Sequence, residues 1–339
     1  MTRTDAALAA VPSAPAVLRP VFLFSAPRSG STLVQRVLAA HDGVATTAEP
    51  WLLLPLLASQ RADLPDSGHW QRLAAGAIAE FSDHLPRGRA DVDAALADAA
   101  RRLYRQAAGP GATHFLDKTP GYVLVIDDIA RTFPDAGLLF LWRNPLGVLA
   151  SLAETFDGGR FRPYRQTLAL FDGPVRMVDA YQRHADRAAS VRFEDLVTGD
   201  PGAWRPLTDA MGIALNEQAL REFAEVRLSG SMGDPTGIHR YRALSTEPLD
   251  KWRQTLTNPV RRAWARRWLR WLGRERLEVM GYDLGLLLAE LDALGGTAVS
   301  DLSGGIRDAA LLAASAGRDV VMARTEIPTP TTWRRLLSS

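Results

Sequence analysis

The chain has 339 residues, of which 47% are hydrophobic, so it can bury a full core as one large α/β domain with extensions or as two small domains. A formal net charge of +2 makes nucleic acid an unobvious partner while leaving room for anionic ligands, and the absence of cysteine excludes disulfides, thiolate metal sites and cysteine nucleophiles together. Arginine outnumbers lysine so heavily that only Lys118 and Lys251 remain.

Residues 1–20 are rich in Ala and Pro and lack the apolar core of a signal peptide. No stretch reaches the roughly 20 apolar residues of a membrane span, so a cytoplasmic protein is expected. A continuously apolar run, Val21 to Phe24, breaks at Pro27-Arg28-Ser29-Gly30 and resumes as Leu33, Val34, Val37 and Leu38, which predicts buried strand, loop and helix. Gly30 lets the backbone approach an anion, the amides from Ser31 to Leu33 point at it, and Arg28, Ser29, Ser31 and Thr32 add side-chain donors. His41-Asp42-Gly43 stops that helix, with His41 read as its cap. A short strand over 44–47 leads to Glu49-Pro50-Trp51 and an apolar stretch to Ala58. Amphipathic helix is predicted between about 69 and 108, capped by Asp91 or Asp93 and stopped at Gly109-Pro110-Gly111.

His114-Phe115-Leu116 reads as a second core strand ending in Asp117-Lys118-Thr119-Pro120, and a helix over about 121–132 follows. Gly137 to Trp142 is the most apolar run and the central-strand candidate, with Pro145 opening the next helix. Strands separated by helices imply a parallel sheet with ligands at the carboxyl ends, where the polar turns 26–32, 117–120 and 143–145 all fall. Residues 157–173 read as a loop, 174–187 as helix, 189–193 as strand, 229–248 as a long functional loop, and 257 onward as helical.

Arg143 and Ser151 stand eight residues apart across a strand-to-helix turn, so a permanently charged guanidinium and a hydroxyl can reach one phosphate. Ser31 stands before Thr32 where a nucleotide-triphosphate loop needs Lys, which disfavours a Mg-nucleotide kinase. Glu49 sits beside an apolar segment that would raise its pKa, making it the candidate base. The six histidines are scattered and no H-x-x-x-H or carboxylate cluster appears, so no metal is expected.

The run Pro27-Arg28-Ser29-Gly30-Ser31-Thr32-Leu33 resembles the 5′-phosphosulfate loop of sulfotransferases that use 3′-phosphoadenosine-5′-phosphosulfate (PAPS), and Arg143 with Ser151 matches the pair by which that family holds the 3′-phosphate. Asp117-Lys118-Thr119-Pro120, Val191-Arg192-Phe193-Glu194-Asp195-Leu196-Val197, Gly233-Asp234-Pro235 and Leu249-Asp250-Lys251-Trp252 extend the resemblance from about residue 20 to 284. It implies a P-loop-type three-layer α/β fold over 20–284, a central parallel sheet flanked by helices. A loosely ordered arm over 1–19 and a helical extension and tail over 285–339 complete the expected organisation.

The resemblance also implies roles. Arg28 holds the 5′-phosphosulfate, and Ser29, Gly30, Ser31, Thr32 and Leu33 cradle its phosphate. Lys118 neutralises the leaving oxygen, and Lys251 belongs to the element that closes over the nucleotide. Phe193 keeps an aromatic wall where Tyr is usual, without its hydroxyl. Glu49 matches the base of the tyrosylprotein and bacterial branches, and His114 is the reserve, since phenol-type members use His. The products are a sulfated acceptor and adenosine 3′,5′-bisphosphate. The expected acceptor is a small hydroxylated molecule, aromatic or lipophilic, with an apolar pocket from Trp51 to Leu57 or plain core as the two readings of that segment. The loop Arg160, Phe161, Arg162, Tyr164 and Arg165 could recognise an anionic group on it. Carbohydrate or protein-tyrosine acceptors, a P-loop kinase and a catalytically silent nucleotide-binding protein are the alternatives, and homo-oligomerisation stays open.

Overall fold

The protein is seen in a computed structural model that describes residues 18–64, 69–230, 242–294 and 305–313. Of the expected arm over 1–19, residues 1–17 lie outside the described residues, as do Gly233-Asp234-Pro235 and the Thr-Pro tail, while Leu18 is buried and Arg19 opens the first strand.

Five parallel strands form one sheet: β1 (Arg19–Ser25), β2 (Val44–Thr46), β3 (His114–Asp117), β4 (Gly137–Trp142) and β5 (Ala188–Arg192), in the order β2-β3-β1-β4-β5. Parallel strands need crossover helices, which cover both faces, so β1 and β4 are continuously apolar and buried along almost their whole length. Side chains alternate across the sheet. Phe22, Phe24, Leu138 and Phe140 point into one buried cluster, while Val21, Leu23, Leu139 and Leu141 point into the other.

The first cluster is covered by α4 (Arg89–Ala108), α5 (Ile126–Thr132), α6 (Pro145–Phe156), α7 (Gly173–Arg183) and the helix Pro259–Leu272. The second is covered by α1 (Ser31–Ala39), α8 (Phe193–Leu196) and α9 (Arg205–Met211). Three layers result, as the sequence predicts, and every strand-to-helix turn opens at the same edge.

Three expectations change. The predicted helix over 69–108 is two, α3 (His69–Ser82) and α4, because Pro86 and Gly88, at φ 60°, break the chain. Neither Asp91 nor Asp93 is the cap. Asp91 lies in the first turn and accepts the Arg87 amide at 2.8 Å, and buried Asp93 accepts Arg131 Nε at 2.7 Å. The segment read as a loop over 157–173 holds helical turns at Pro163–Arg165 and Leu168–Asp172, and its Phe161 is buried edge-on to Trp264 with centroids 5.5 Å apart.

Helix α6 starts at Pro145 as expected, with the Asn144 side chain accepting the Leu146 amide at 2.9 Å. Beyond the helix Arg274–Val279, the helix Leu284–Asp292 buries Leu287 and Leu291 in the first cluster, and helix 305–313 is tied down by buried Asp308 against Arg261 at 2.6 Å.

Candidate active site

The turn from β1 to α1 is built around two left-handed residues, Arg28 at φ 67° and Gly30 at φ 86°. Gly30 also tolerates an approach no other residue could: a Cβ there would lie 2.2 Å from the Phe193 ring. The Leu33 and Val34 amides both turn to the Gly30 carbonyl, at 3.0 and 3.2 Å. Leu33 is therefore not an outward donor, contrary to the sequence reading, and the helix start offers its anion-facing amides from Ser31 and Thr32. Ser29 is 1% exposed and faces a small apolar hollow behind the turn rather than the cleft in front of it.

Arg143 leaves the end of β4 and crosses over this turn. It donates to the Arg28 carbonyl at 2.7 Å and the Pro248 carbonyl at 3.1 Å, and its guanidinium lies 4.9 Å from the centroid of the Phe193 ring. Arg28 Nε reaches Ser151 Oγ at 3.2 Å. The two predicted phosphate signatures thus form one cluster, with Phe193 wedged between Gly30 and Arg143. An aromatic ring does this work without a hydroxyl.

Glu194 escaped the sequence reading as an individual residue, although it sits in the quoted run after β5. It accepts the Asn144 amide at 2.9 Å and the Tyr282 hydroxyl at 2.5 Å, and so locks the Arg143 turn to the C-terminal layer. Burial beside that carboxylate pushes the Tyr282 phenol well up.

The end of β3 supplies the second half of the site. Lys118, 2% exposed, donates to Glu49 Oε1 at 2.7 Å, and Trp51 Nε1 donates to Glu49 Oε2 at 3.3 Å. Beneath them Asp117 is fully buried and accepts the hydroxyls of Tyr104 at 2.6 Å, Tyr122 at 3.0 Å and Thr119 at 3.1 Å. Burial raises its pKa to about 6, against the pull of those three donors and of Lys118. Tyr122 Oη accepts the Leu53 amide at 3.0 Å, so the buried carboxyl anchors the segment that carries Glu49 and Trp51. Leu53 and Leu57 of the following helix, α2 (Leu53–Ala58), are core, whereas Trp51 lines the cleft; the two readings of that apolar run each hold for part of it.

These groups surround one cleft of about 560 Å³. Arg28, Gly30, Ser31, Thr32, Leu33, Glu49, Lys118, Arg143, Ser151, Phe193 and Lys251 all line it. Lys251, half exposed, pairs with Glu247 at 2.8 Å. None of Arg160, Phe161, Arg162, Tyr164 and Arg165 lines the cleft among the described residues; Phe161 is core, and the Tyr164 hydroxyl accepts Trp264 Nε1 at 3.2 Å. His114 does not reach the cleft either. It is the first residue of β3, at the amino edge of the sheet, with Nε2 donating to the Met211 carbonyl at 2.9 Å and Nδ1 2.9 Å from Thr113 Oγ1. Burial lowers its pKa. His41 caps α1 as expected: Nε2 accepts the Asn216 amide at 3.1 Å, so Nδ1 carries the proton that meets the Val37 carbonyl at 3.1 Å.

The cleft's donor set suits a multiply charged anion: the guanidiniums of Arg28, Arg36 and Arg143, the ammoniums of Lys118 and Lys251, hydroxyls and a helix start at Gly30, where a Cβ would strike the Phe193 ring. No group of three or more His, Asp or Glu able to hold a metal occurs among the described residues, and no described helix is long and apolar enough to cross a membrane.

The nodulation protein NoeE of Sinorhizobium fredii is 36% identical over 135 residues, which is 40% of this chain and 31% of NoeE, so the match spans about a third of that protein. Among solved structures, the sulfotransferase domain from the curacin biosynthetic pathway aligns with 70% of this chain and 91% of its own at 21% identity and a TM-score of 0.49. The sulfotransferase domain of the Synechococcus PCC 7002 olefin synthase aligns with 71% and 90% at 24% identity and a TM-score of 0.47. A sequence model of the sulfotransferase family matches residues 20–217, more than half of the chain and the part that holds the anion loop, Glu49, Lys118, Arg143 and Phe193; the protein belongs to the sulfotransferase family.

Proposed function

We propose that the protein is a PAPS-dependent O-sulfotransferase acting on a hydroxyl of a small molecule, with its catalytic domain over residues 20–284. The observation that carries this reading is the convergence of two halves on one cleft: the Arg28, Arg143, Ser151 and Gly30 anion cluster, and the Glu49–Lys118 pair held at 2.7 Å. PAPS supplies an activated sulfuryl group together with two further anionic centres.

The chain's own residues then divide the work. Arg28 with the Ser31 and Thr32 hydroxyls and amides binds the anion at the helix start, while Arg143 and Ser151 bind a second phosphate beside it. Phe193 walls the nucleotide side, and Lys251 extends the positive rim. Glu49 accepts the acceptor's proton, and Lys118 places a buried positive charge beside negative charge that grows during transfer. The Asp117 network keeps Glu49 in register by fixing Leu53.

Calorimetric titration with adenosine 3′,5′-bisphosphate in EDTA, beside ATP with Mg²⁺, tests the reading. Tight metal-free binding of the bisphosphate with weak ATP binding is expected. The reverse preference would overturn it in favour of a nucleotide kinase.

A further inference from the structure

Among the described residues two non-glycine residues hold a left-handed backbone, Arg28 and Trp51, and both line the cleft. Arg28 belongs to the anion loop. Trp51, at φ 53°, takes no part in that loop, yet a bulky side chain keeps this conformation only where its surroundings over-determine it, and such outliers concentrate at ligand sites.

The surroundings of Trp51 identify what is being held. Its six-membered ring packs so closely on Gly121 that a Cβ at that position would lie 2.6 Å from Cζ3. Its Nε1 is hydrogen-bonded to Glu49 Oε2. Gly121 comes three residues after Lys118, so the indole is fixed by the same two segments that carry the Glu49–Lys118 pair. Trp51 remains partly exposed to the cleft.

The cleft's other walls narrow the chemistry. Apart from Arg36, Glu154, Thr155 and Thr255, its described polar lining is the charged and hydroxyl set assigned above to the nucleotide and the proton, and it adds no Asn, Gln, Asp, His or Tyr for the further hydroxyls of a sugar. It does hold Pro120, Leu168 and Phe156, the last 53% exposed although aromatic. We infer that Trp51 is the acceptor platform: a planar aromatic alcohol stacks on its indole, which sets the ring's hydroxyl against Glu49. This rests on the sulfotransferase reading and adds the acceptor class and the residue that selects it.

The test uses 2-naphthol as a planar probe, with cyclohexanol and methyl α-glucoside as non-planar controls, titrated calorimetrically into the full chain saturated with adenosine 3′,5′-bisphosphate. Wild type is expected to bind 2-naphthol about tenfold or more tightly than either control. Trp51→Gly, which suits the left-handed backbone but removes the ring, should weaken 2-naphthol about tenfold while changing bisphosphate affinity less than about twofold. Trp51→Phe, which keeps a ring, should restore most of the loss.

Unchanged naphthol binding in Trp51→Gly, or a wild-type preference for either control, would overturn the inference while leaving the sulfotransferase reading in place. Parallel loss of bisphosphate binding in Trp51→Gly would assign Trp51 to the fold and overturn it equally. Failure of wild type to bind the bisphosphate would remove the sulfotransferase reading, and this inference with it.

Discussion

The two edges of the sheet bury cations in different ways. At the amino edge, Arg19 donates to the carbonyls of Asp135 and Met211, both at 2.8 Å, and His114 shares the Met211 carbonyl. These groups staple loops to strand starts through the main chain. At the carboxyl edge, Lys118 is buried against the side chain of Glu49, Arg28 meets the Ser151 hydroxyl, and the backbone holds left-handed turns around an open volume. Arg143 has both habits, since it bonds two carbonyls and also crosses the Phe193 ring. Backbone carbonyls are fixed and unreactive, so cations paired with them stabilise a fold. Cations paired with ionisable or hydroxyl groups beside a cleft can exchange those partners for a ligand.

The sharpest way to break this contrast is to remove the carboxylate that would act as base. Glu49→Gln is expected to lower kcat by about 10²–10⁴ while adenosine 3′,5′-bisphosphate affinity changes little. Steady-state assays with a phenolic acceptor beside calorimetry of the nucleotide would check it. Retained wild-type kcat would end the base assignment. Because Lys118 is almost fully buried, its stability cost in that variant should be measured separately by denaturant unfolding.

Next in size is Arg143→Ala. If the anion cluster works as one unit, bisphosphate binding should weaken by about 2–4 kcal/mol, the scale of a charge-assisted bidentate contact. Affinity unchanged by calorimetry would reduce Arg143 to a brace for the Arg28 carbonyl and the Phe193 ring.

Much of this edge was legible in the sequence because each part has a local cause. An apolar run of strand length, a Pro and Gly break and a helical period give β1, the anion turn and α1, and the alternation of strands with helices gives a parallel sheet. His114 opens its strand, and in a parallel sheet whose ligands meet the carboxyl ends a first-position residue stands at the opposite edge, so the resemblance to phenol-type members does not carry to it. Local pattern does not reveal partners far apart in sequence: Glu194 joins Asn144 to Tyr282, and Asp117 joins Tyr104 to Tyr122. In Asp117-Lys118 the sequence singles out the lysine, because nothing local shows that the aspartate is buried beneath it among Tyr104, Tyr122 and Thr119. Trp51's left-handed backbone has no signal in the sequence, where Trp beside Pro in an apolar run leaves pocket and core both open.

Asp117 sharpens the contrast through pH. Its folded pKa, about 6, lies above its ordinary value because burial penalises the charge. The folded state therefore binds the proton more tightly than the unfolded chain. The stability this contributes is fully present below about pH 4 and is lost as pH rises through 6. A shift of that size corresponds to on the order of 2–3 kcal/mol. Denaturant midpoints at pH 4.5 and 7 should show this decline in wild type and lack it in Asp117→Asn, whose side chain still offers a carbonyl to the tyrosines. Equal slopes in both proteins would remove the buried charge from the account.

The smallest effect belongs to the amino edge and serves as its control. His114 must carry its proton on Nε2, since the Met211 carbonyl can only accept, and Nδ1 then accepts from the Thr113 hydroxyl. Charging the ring would put a buried positive charge beside Arg19, and the pKa is lowered first by burial and also by Arg19. A depressed histidine pKa gives stability that is complete above about pH 6.5 and lost as pH falls through the folded value, opposite in sign to Asp117. His114→Gln should cost about 1 kcal/mol at pH 7, one ordinary hydrogen bond, and flatten the acid-side slope. It should leave kcat and nucleotide affinity unchanged, because the residue stands at the far edge from the cleft. A fall in kcat matching that of Glu49→Gln would mean that the two edges communicate, and the division between staple and site would have to be redrawn.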